Sequence, residues 1–68
     1  MDVTISEEFI PTLMTDQRVQ DWFSDGDLIC KEIGSDVVIT LKVGRNQSIM
    51  YDLVDILINL SIDYVLKV

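Results

Sequence analysis

The chain has 68 residues, 49% of them hydrophobic, and a formal net charge of −7. This length predicts one domain with a small core, because a chain of this size buries only about 60% of its unfolded surface. The single cysteine excludes an internal disulfide, and the lack of histidine excludes every catalytic triad that needs one.

A short strand is predicted at the start of the chain, followed by an interrupted helix. Val3 and Ile5 alternate with polar neighbours, which is the period of a strand. Residues 7–14 begin like a helix, with acidic residues that favour a first turn. Pro11 would then fall one turn inside, where it has no N–H to donate. We therefore expect a broken or late-starting helix in this segment.

A clearer helix is predicted between Thr15 and Ser24. Either Thr15 or Asp16 can cap its first turn, because a short side-chain oxygen accepts a hydrogen bond from the free N–H groups there. Gly26 supplies the left-handed conformation that commonly ends a helix.

Two strands and a turn are predicted next. Residues 28–33 are rich in strand formers, and residues 37–43 alternate in the period of a strand. The glycine, serine and aspartate at 34–36 favour a turn, so a hairpin is expected. Cys30 lies in the first of these strands and is expected to be a buried core thiol.

The stretch from Asn46 to Val68 has the densest apolar content and predicts a helix that feeds a strand. Asn46 or Ser48 can cap the helix. Five apolar residues then recur at steps of three and four and form one helix face: Ile49, Leu53, Ile56, Leu57 and Leu60. Residues 62–68 alternate as in a half-buried strand.

Three further apolar residues widen the core face of this last helix: Met50, Val54 and Ile58. A helix that lies on a sheet needs only one apolar stripe. This apolar flank is therefore expected to pack on a second helix or on another protein.

The order of predicted elements is strand, helix, strand, strand, helix, strand. With right-handed crossovers, this order predicts a compact α+β fold of the split βαβ, ferredoxin-like type, with both helices on one face of a four-stranded sheet. If the first strand is only a tail, the alternative is a three-stranded sheet with two helices.

The negative charge is confined to the first half of the chain. Residues 1–36 carry nine acidic and two basic residues, a net −7, whereas residues 37–68 carry three of each sign. Such a field repels nucleic acids and anionic membranes and attracts basic partners.

No motif for a cofactor or a metal ion is present, so we expect neither. The carboxylates of Asp25 and Asp27 flank a glycine, but a calcium loop needs further oxygen ligands at alternate positions. Gly44 precedes a helix without the second glycine and lysine of a phosphate-binding loop. With no catalytic set in view, an enzyme is not expected.

The first functional hypothesis is a small acidic protein that binds a basic surface of a partner protein, as an inhibitor or regulator. Phage inhibitors, immunity proteins and antitoxins have this kind of role, and a carboxylate array can mimic the phosphates of a nucleic acid. Direct binding of nucleic acid or membrane is not expected. An aromatic side chain among charges can anchor an interface. The predicted acidic face therefore contains Glu7, Glu8, Asp16, Asp21, Trp22, Asp25 and Asp27.

The second hypothesis is a structural subunit that forms a homodimer or joins an assembly through the apolar flank. In either case a cytoplasmic location is expected. A lone cysteine is compatible with a reducing compartment. No basic segment precedes an apolar run at the start of the chain, and no apolar run approaches the ~20 residues of a membrane span.

Overall fold

A four-stranded sheet forms the centre of the computed structural model, which describes residues 1–68. The strands are β1 (Asp2–Ser6), β2 (Leu28–Ile33), β3 (Asp36–Leu41) and β4 (Val65–Lys67). The helices are α1 (Ile10–Leu13), α2 (Gln17–Ser24) and α3 (Ser48–Asn59), and a 3₁₀ turn, Glu7–Phe9, joins β1 to α1. The protein is a small α+β domain, as the sequence predicts.

Strand β1 is an inner strand. It pairs antiparallel with β3 on one side and with β4 on the other, and β3 pairs antiparallel with β2, so the order is β2-β3-β1-β4. Because β1 and β2 are both antiparallel to β3, they run in the same direction. The three-stranded alternative is wrong, since β1 pairs with β3 from Asp2 to Ser6.

One face of the sheet is buried and the other is open. On β1 and β3, the side chains of Val3, Ile5, Val37 and Ile39 are buried, whereas those between them are not. Residues of all three helices join these four in one cluster, so the helices cover this face. The core cluster has twelve members: Val3, Ile5, Leu13, Val19, Leu28, Val37, Ile39, Met50, Leu53, Ile56, Leu57 and Ile62.

The interrupted helix is confirmed. Pro11 lies in the first turn of α1, where its missing N–H is not needed, and α1 ends at Leu13. Asp16 caps α2: its Oδ1 accepts hydrogen bonds from the backbone N–H groups of Arg18 at 2.8 Å and Val19 at 3.4 Å. A short polar side chain thus starts a second helix after the break.

The hairpin between β2 and β3 is also confirmed. Gly34 has a φ of +62°, and Ser35 has no positive φ, which is the pattern of a type II′ turn with glycine first. This turn matches the twist of the two strands. Strand β3 ends at Leu41, two residues before the predicted end, and the Val43 side chain is fully in solvent.

Helix α3 begins where the sequence predicts. The Oδ1 atom of Asn46 accepts a hydrogen bond from the backbone N–H of Ser48 at 2.9 Å. Strand β4 is shorter than predicted: Ile62 is buried in the core but precedes the strand, which starts at Val65. None of the three helices has both the length and the apolar character needed to cross a lipid bilayer.

The expectation of a buried Cys30 is wrong. Its side chain is exposed, although it lies on the helix-covered side of β2, two residues from buried Leu28. Strand β2 is an edge strand, and the helices cover only its first residue.

Two adjacent residues of α3 provide a test of this core. Leu57 is fully buried, whereas Ile58 is 56% exposed. We expect Leu57→Ala to reduce the free energy of unfolding by about 2–5 kcal/mol, because it removes a buried side chain and leaves a cavity. Ile58→Ala should cost less than about 1 kcal/mol. Denaturant unfolding measures both values, and equal costs would contradict the orientation of α3.

Candidate functional site

The predicted acidic face is divided between the two ends of the sheet. Glu7 and Glu8 follow the last residue of β1, whereas Asp25 and Asp27 precede the first residue of β2. Because β1 and β2 run in the same direction, these two pairs lie at opposite ends. The seven residues therefore do not form one continuous surface.

Helix α2 carries the middle of the predicted acidic face. Asp21 and Asp25 are four residues apart and lie beside each other on the helix. Asp21 also accepts a hydrogen bond from Nε2 of Gln17 at 2.9 Å. Trp22 and Phe23 are both half-buried and pack against the core, so only part of the Trp22 ring is available to a partner.

Two members of the predicted acidic face already have partners within the chain. Asp16 caps α2, and its Oδ2 lies 3.5 Å from the guanidinium of Arg18. Asp27 Oδ1 lies 3.2 Å from Nε of Arg45. Both carboxylates are mostly shielded, and their first role is structural.

The electrostatics of Asp16 follow from this capping role. Burial alone would raise the pKa of the Asp16 carboxyl, but hydrogen bonds from the backbone and side chain of Arg18 and from the backbone of Val19 outweigh it, and the pKa is lowered. The folded state therefore favours the ionised carboxylate.

The other end of the sheet holds a pocket of about 370 Å³. Two half-buried aromatic side chains, Phe9 and Tyr64, line it together with the carboxylates of Glu8, Asp36 and Asp63. The pocket lies between the 3₁₀ turn, the hairpin and the segment before β4.

Four acidic residues lie at this end of the sheet, and we call them the acidic end: Glu7, Glu8, Asp36 and Asp63. The backbone N–H of Glu7 donates to the carbonyl of Ser35 at 2.9 Å, which holds the 3₁₀ turn against the hairpin. All four side chains are exposed.

Sequence reasoning missed Asp36 and Asp63. These two residues stand far from Glu7 and Glu8 in the chain, and only the strand order brings them together. The signal was present, because Asp36 is the last residue of the predicted turn and Asp63 lies at the start of the predicted last strand. An antiparallel sheet places those positions at the end where β1 finishes.

No basic residue lies in the segments that form the acidic end. Residues 5–17, 32–41 and 46–66 contain neither lysine nor arginine. The potential there is therefore negative without local compensation. Glu8, Asp36 and Asp63 line the pocket, and no three metal-binding side chains of the chain are grouped closely enough to hold a metal ion.

The apolar flank of α3 is smaller than predicted. Met50 is fully buried and belongs to the core cluster, so it is not available to a partner. Val54 is half-buried, and only Ile58 is well exposed. Most of the flank thus packs within the chain.

Comparison with protein-family models, with curated proteins and with solved structures finds no match to this chain. Its function must be inferred from the residues and their arrangement.

Two substitutions of Asp16 separate the effect of its capping oxygen on stability from the effect of its negative charge. We expect Asp16→Ala to lower the free energy of unfolding by about 1 kcal/mol, because α2 loses its N-cap. Asp16→Asn keeps a capping oxygen and should retain most of the stability at neutral pH. Thermal unfolding of the two variants makes the comparison, and equal losses would contradict the cap.

The wild type and Asp16→Asn should also differ in how their stability depends on pH. Because the folded pKa of Asp16 is lowered, the stabilisation is complete above the pKa in the unfolded chain, about 4. It is lost as the pH falls through the lower folded value. The stability difference between the wild type and Asp16→Asn should therefore shrink in acid. A difference independent of pH would exclude a contribution from the charge.

Proposed function

We propose that this protein is a non-enzymatic binding module, an inhibitor or regulator, whose acidic end occupies a basic surface of a partner protein. The observation that carries the proposal is the set of four exposed acidic residues at one end of the sheet, three of which line one pocket, with no basic residue in the segments that form this end. Such a field accelerates encounter with a basic partner and rejects acidic ones.

The pocket supports a basic side chain as the group that is bound. Phe9 and Tyr64 offer aromatic surface, and Glu8, Asp36 and Asp63 offer hydrogen-bond acceptors around it. A guanidinium or ammonium group gains from both, because cations are attracted to aromatic faces as well as to carboxylates. Arginine suits this combination best, since its planar group both stacks and pairs.

Helix α2 carries a second group of exposed acidic residues, which lies apart from the acidic end. Asp21 and Asp25 are exposed, and Trp22 lies between them in the chain with part of its ring accessible. At the acidic end, a partner whose natural ligand is a nucleic acid would meet carboxylates in place of phosphates. Phage inhibitors, immunity proteins and antitoxins have this kind of role, and the small size and negative charge of the chain fit that group.

The expected setting follows from the same features. The net charge of −7 opposes direct binding of nucleic acid or of an anionic membrane. The exposed free thiol of Cys30 supports a reducing compartment such as the cytoplasm. The composition contributes no catalytic base of the usual kind, since the chain has no histidine.

We also infer that the fold is the split βαβ, ferredoxin-like arrangement. The strand order β2-β3-β1-β4 with antiparallel neighbours supports it, because β3 then separates the parallel strands β1 and β2. This arrangement leaves one sheet face and both sheet ends free for binding.

Two sets of substitutions, each of which removes four negative charges, test the acidic end. The first set is Glu7→Gln, Glu8→Gln, Asp36→Asn and Asp63→Asn. The control set is Asp21→Asn, Asp25→Asn, Asp52→Asn and Asp55→Asn, on α2 and α3. After a partner is captured from a lysate and purified, we expect the first set to weaken its binding at least about tenfold, because close charge pairs at an interface are lost. The control set should weaken it far less.

The salt dependence should change together with the affinity. Screening shortens from about 10 Å to about 3 Å between 0.1 M and 1 M salt, so wild-type affinity should fall steeply over that range and that of the first set should not. Equal effects of both sets would move the site away from the acidic end. A partner that resists high salt would contradict binding through charge.

The alternative function is a structural subunit, and the open face of the sheet, not the apolar flank of α3, is the surface that supports it. The open face of the sheet exposes Ile29, Ile33 and Val65, each more than half accessible. Exposed aliphatic groups on a sheet can pack against a second copy.

Sedimentation decides between these two functions. We expect the purified protein to remain monomeric at micromolar concentration, because two copies with a charge of −7 each repel one another. A dimer that dissociates in the double variant Ile33→Lys, Val65→Lys would favour the structural subunit. Ile58→Lys on α3 is the matched control.

A further inference from the structure

Strand β2 has unused backbone hydrogen-bonding groups along its outer edge. The backbone N–H of Lys42 donates to the carbonyl of Asp27 at 2.9 Å, one step beyond the pair Leu28–Leu41. Hydrogen-bonded pairs alternate along an antiparallel ladder. Ile29, Lys31 and Ile33 therefore exchange hydrogen bonds with β3, and the N–H and C=O groups of three residues point away from it: Leu28, Cys30 and Glu32.

Nothing in the chain satisfies these outward groups. Strand β2 has only β3 as a neighbour, and no backbone hydrogen bond outside the helices and strands involves Leu28, Cys30 or Glu32. The edge is six residues long and contains neither proline nor a bulge. These are the features that allow another strand to pair with it.

An apolar groove runs beside this edge on the helix-covered side of the sheet. Four side chains line its volume of about 290 Å³: Ile10, Met14, Phe23 and Cys30. The groove explains why Cys30 is exposed, since α1 and α2 stop short of the edge and leave a gap above it. An added strand would place every second side chain on this side.

The charge next to the groove is negative. Leu28, Cys30 and Glu32 alternate on the helix-covered side of β2, whereas Lys31 lies on the open side. Glu32 is exposed and has no ion-pair partner among the two salt bridges of the chain. A strand that pairs with β2 would therefore meet an apolar groove at Cys30 and a carboxylate at Glu32.

We propose that β2 binds an extended segment of a partner protein as an added antiparallel strand, with an apolar side chain over the groove and a lysine or arginine two residues earlier. In that register the apolar residue lies opposite Cys30, and the basic residue lies opposite Glu32. Backbone hydrogen bonds supply affinity, and the two side-chain positions supply specificity. The proposal concerns a different surface from the acidic end and stands independently of it.

A second copy of the chain suits this edge less well. Antiparallel self-pairing that uses the outward groups and centres on Cys30 would place buried Leu28 of one copy opposite Glu32 of the other. The position that favours a basic side chain would then hold an aliphatic one, and each copy carries a charge of −7. An extended basic segment meets neither difficulty.

Proline and threonine at Cys30 form a matched pair for the test. Cys30→Pro removes an outward N–H that β3 does not use, so the fold should persist, as proline is tolerated on the free side of edge strands. Cys30→Thr removes the thiol but keeps the N–H. A library of random peptides displayed on phage is selected on the Cys30→Thr protein, and the selected peptides are then measured against both variants by calorimetry.

We expect selected peptides to share a lysine or arginine followed two residues later by a large apolar residue. Their affinity for Cys30→Pro should be at least about tenfold lower than for Cys30→Thr, because backbone hydrogen bonds are lost and the ring obstructs pairing. In a peptide, replacing the apolar residue by serine or the basic residue by glutamate should also weaken binding. The amide NMR signals of Cys30 and Glu32 should shift on binding.

Four results would overturn the proposal. The first is a selection that yields no peptide specific for Cys30→Thr over Cys30→Pro. The second is selected peptides without the basic and apolar pattern. The third is a dimer in sedimentation that Cys30→Pro dissociates, since the edge would then belong to a second copy. The fourth is loss of fold in both Cys30→Pro and Glu32→Pro, since their N–H groups would then belong to the β2–β3 ladder.

Discussion

The pairing of β1 between β3 and β4 is the constraint on which the structure depends. Strand β1 is short, yet both of its edges are used, and its two alternating apolar residues, Val3 and Ile5, are buried beneath the helices. A shift by one residue would move these side chains to the open face. The register of β1 therefore fixes which face the helices cover and which ends of the strands meet.

The distribution of charge follows from that topology. The negative balance lies in the first half of the sequence, but the strand directions divide those residues between the two ends of the sheet. Asp16 and Asp27 are then used in capping and ion pairing. Asp36 and Asp63 join Glu7 and Glu8 instead, so the acidic end is not a contiguous segment of the chain.

The two free surfaces differ in the chemistry they offer. The acidic end presents side-chain carboxylates around an aromatic pocket, which suits charged groups on a folded partner. The edge of β2 presents backbone groups beside an apolar groove, which suits an extended segment. A partner with a basic folded surface and a flexible tail would bind both surfaces of this small domain at once. The first contact raises the effective concentration of the second, which increases the overall affinity.

Local structure was largely determined by the sequence alone. The cap at Asp16, the type II′ turn at Gly34 and the start of α3 near Asn46 depend on side chains within a few residues of each other, and all three were predictable. The alternation of Val3 with Ile5 and the spacing of Leu53, Ile56 and Leu57 likewise determined which sides of these elements are buried. These patterns sufficed for the α+β class and for a hairpin between two helical segments.

Only the tertiary structure decided the environment of the remaining residues. Cys30 has the sequence neighbourhood of a core residue, but it is exposed because β2 is an edge strand beyond the reach of the helices. Met50 lies beside the main apolar stripe of α3 and was expected to pack on a second helix or on another protein, and only the structure shows that it is fully buried in the core of the chain. Asp36 and Asp63 join Glu7 and Glu8 through strand order. The periodicity of the sequence indicates which side of each helix or strand is apolar. Burial and the clustering of charges depend on which elements become neighbours across the sheet.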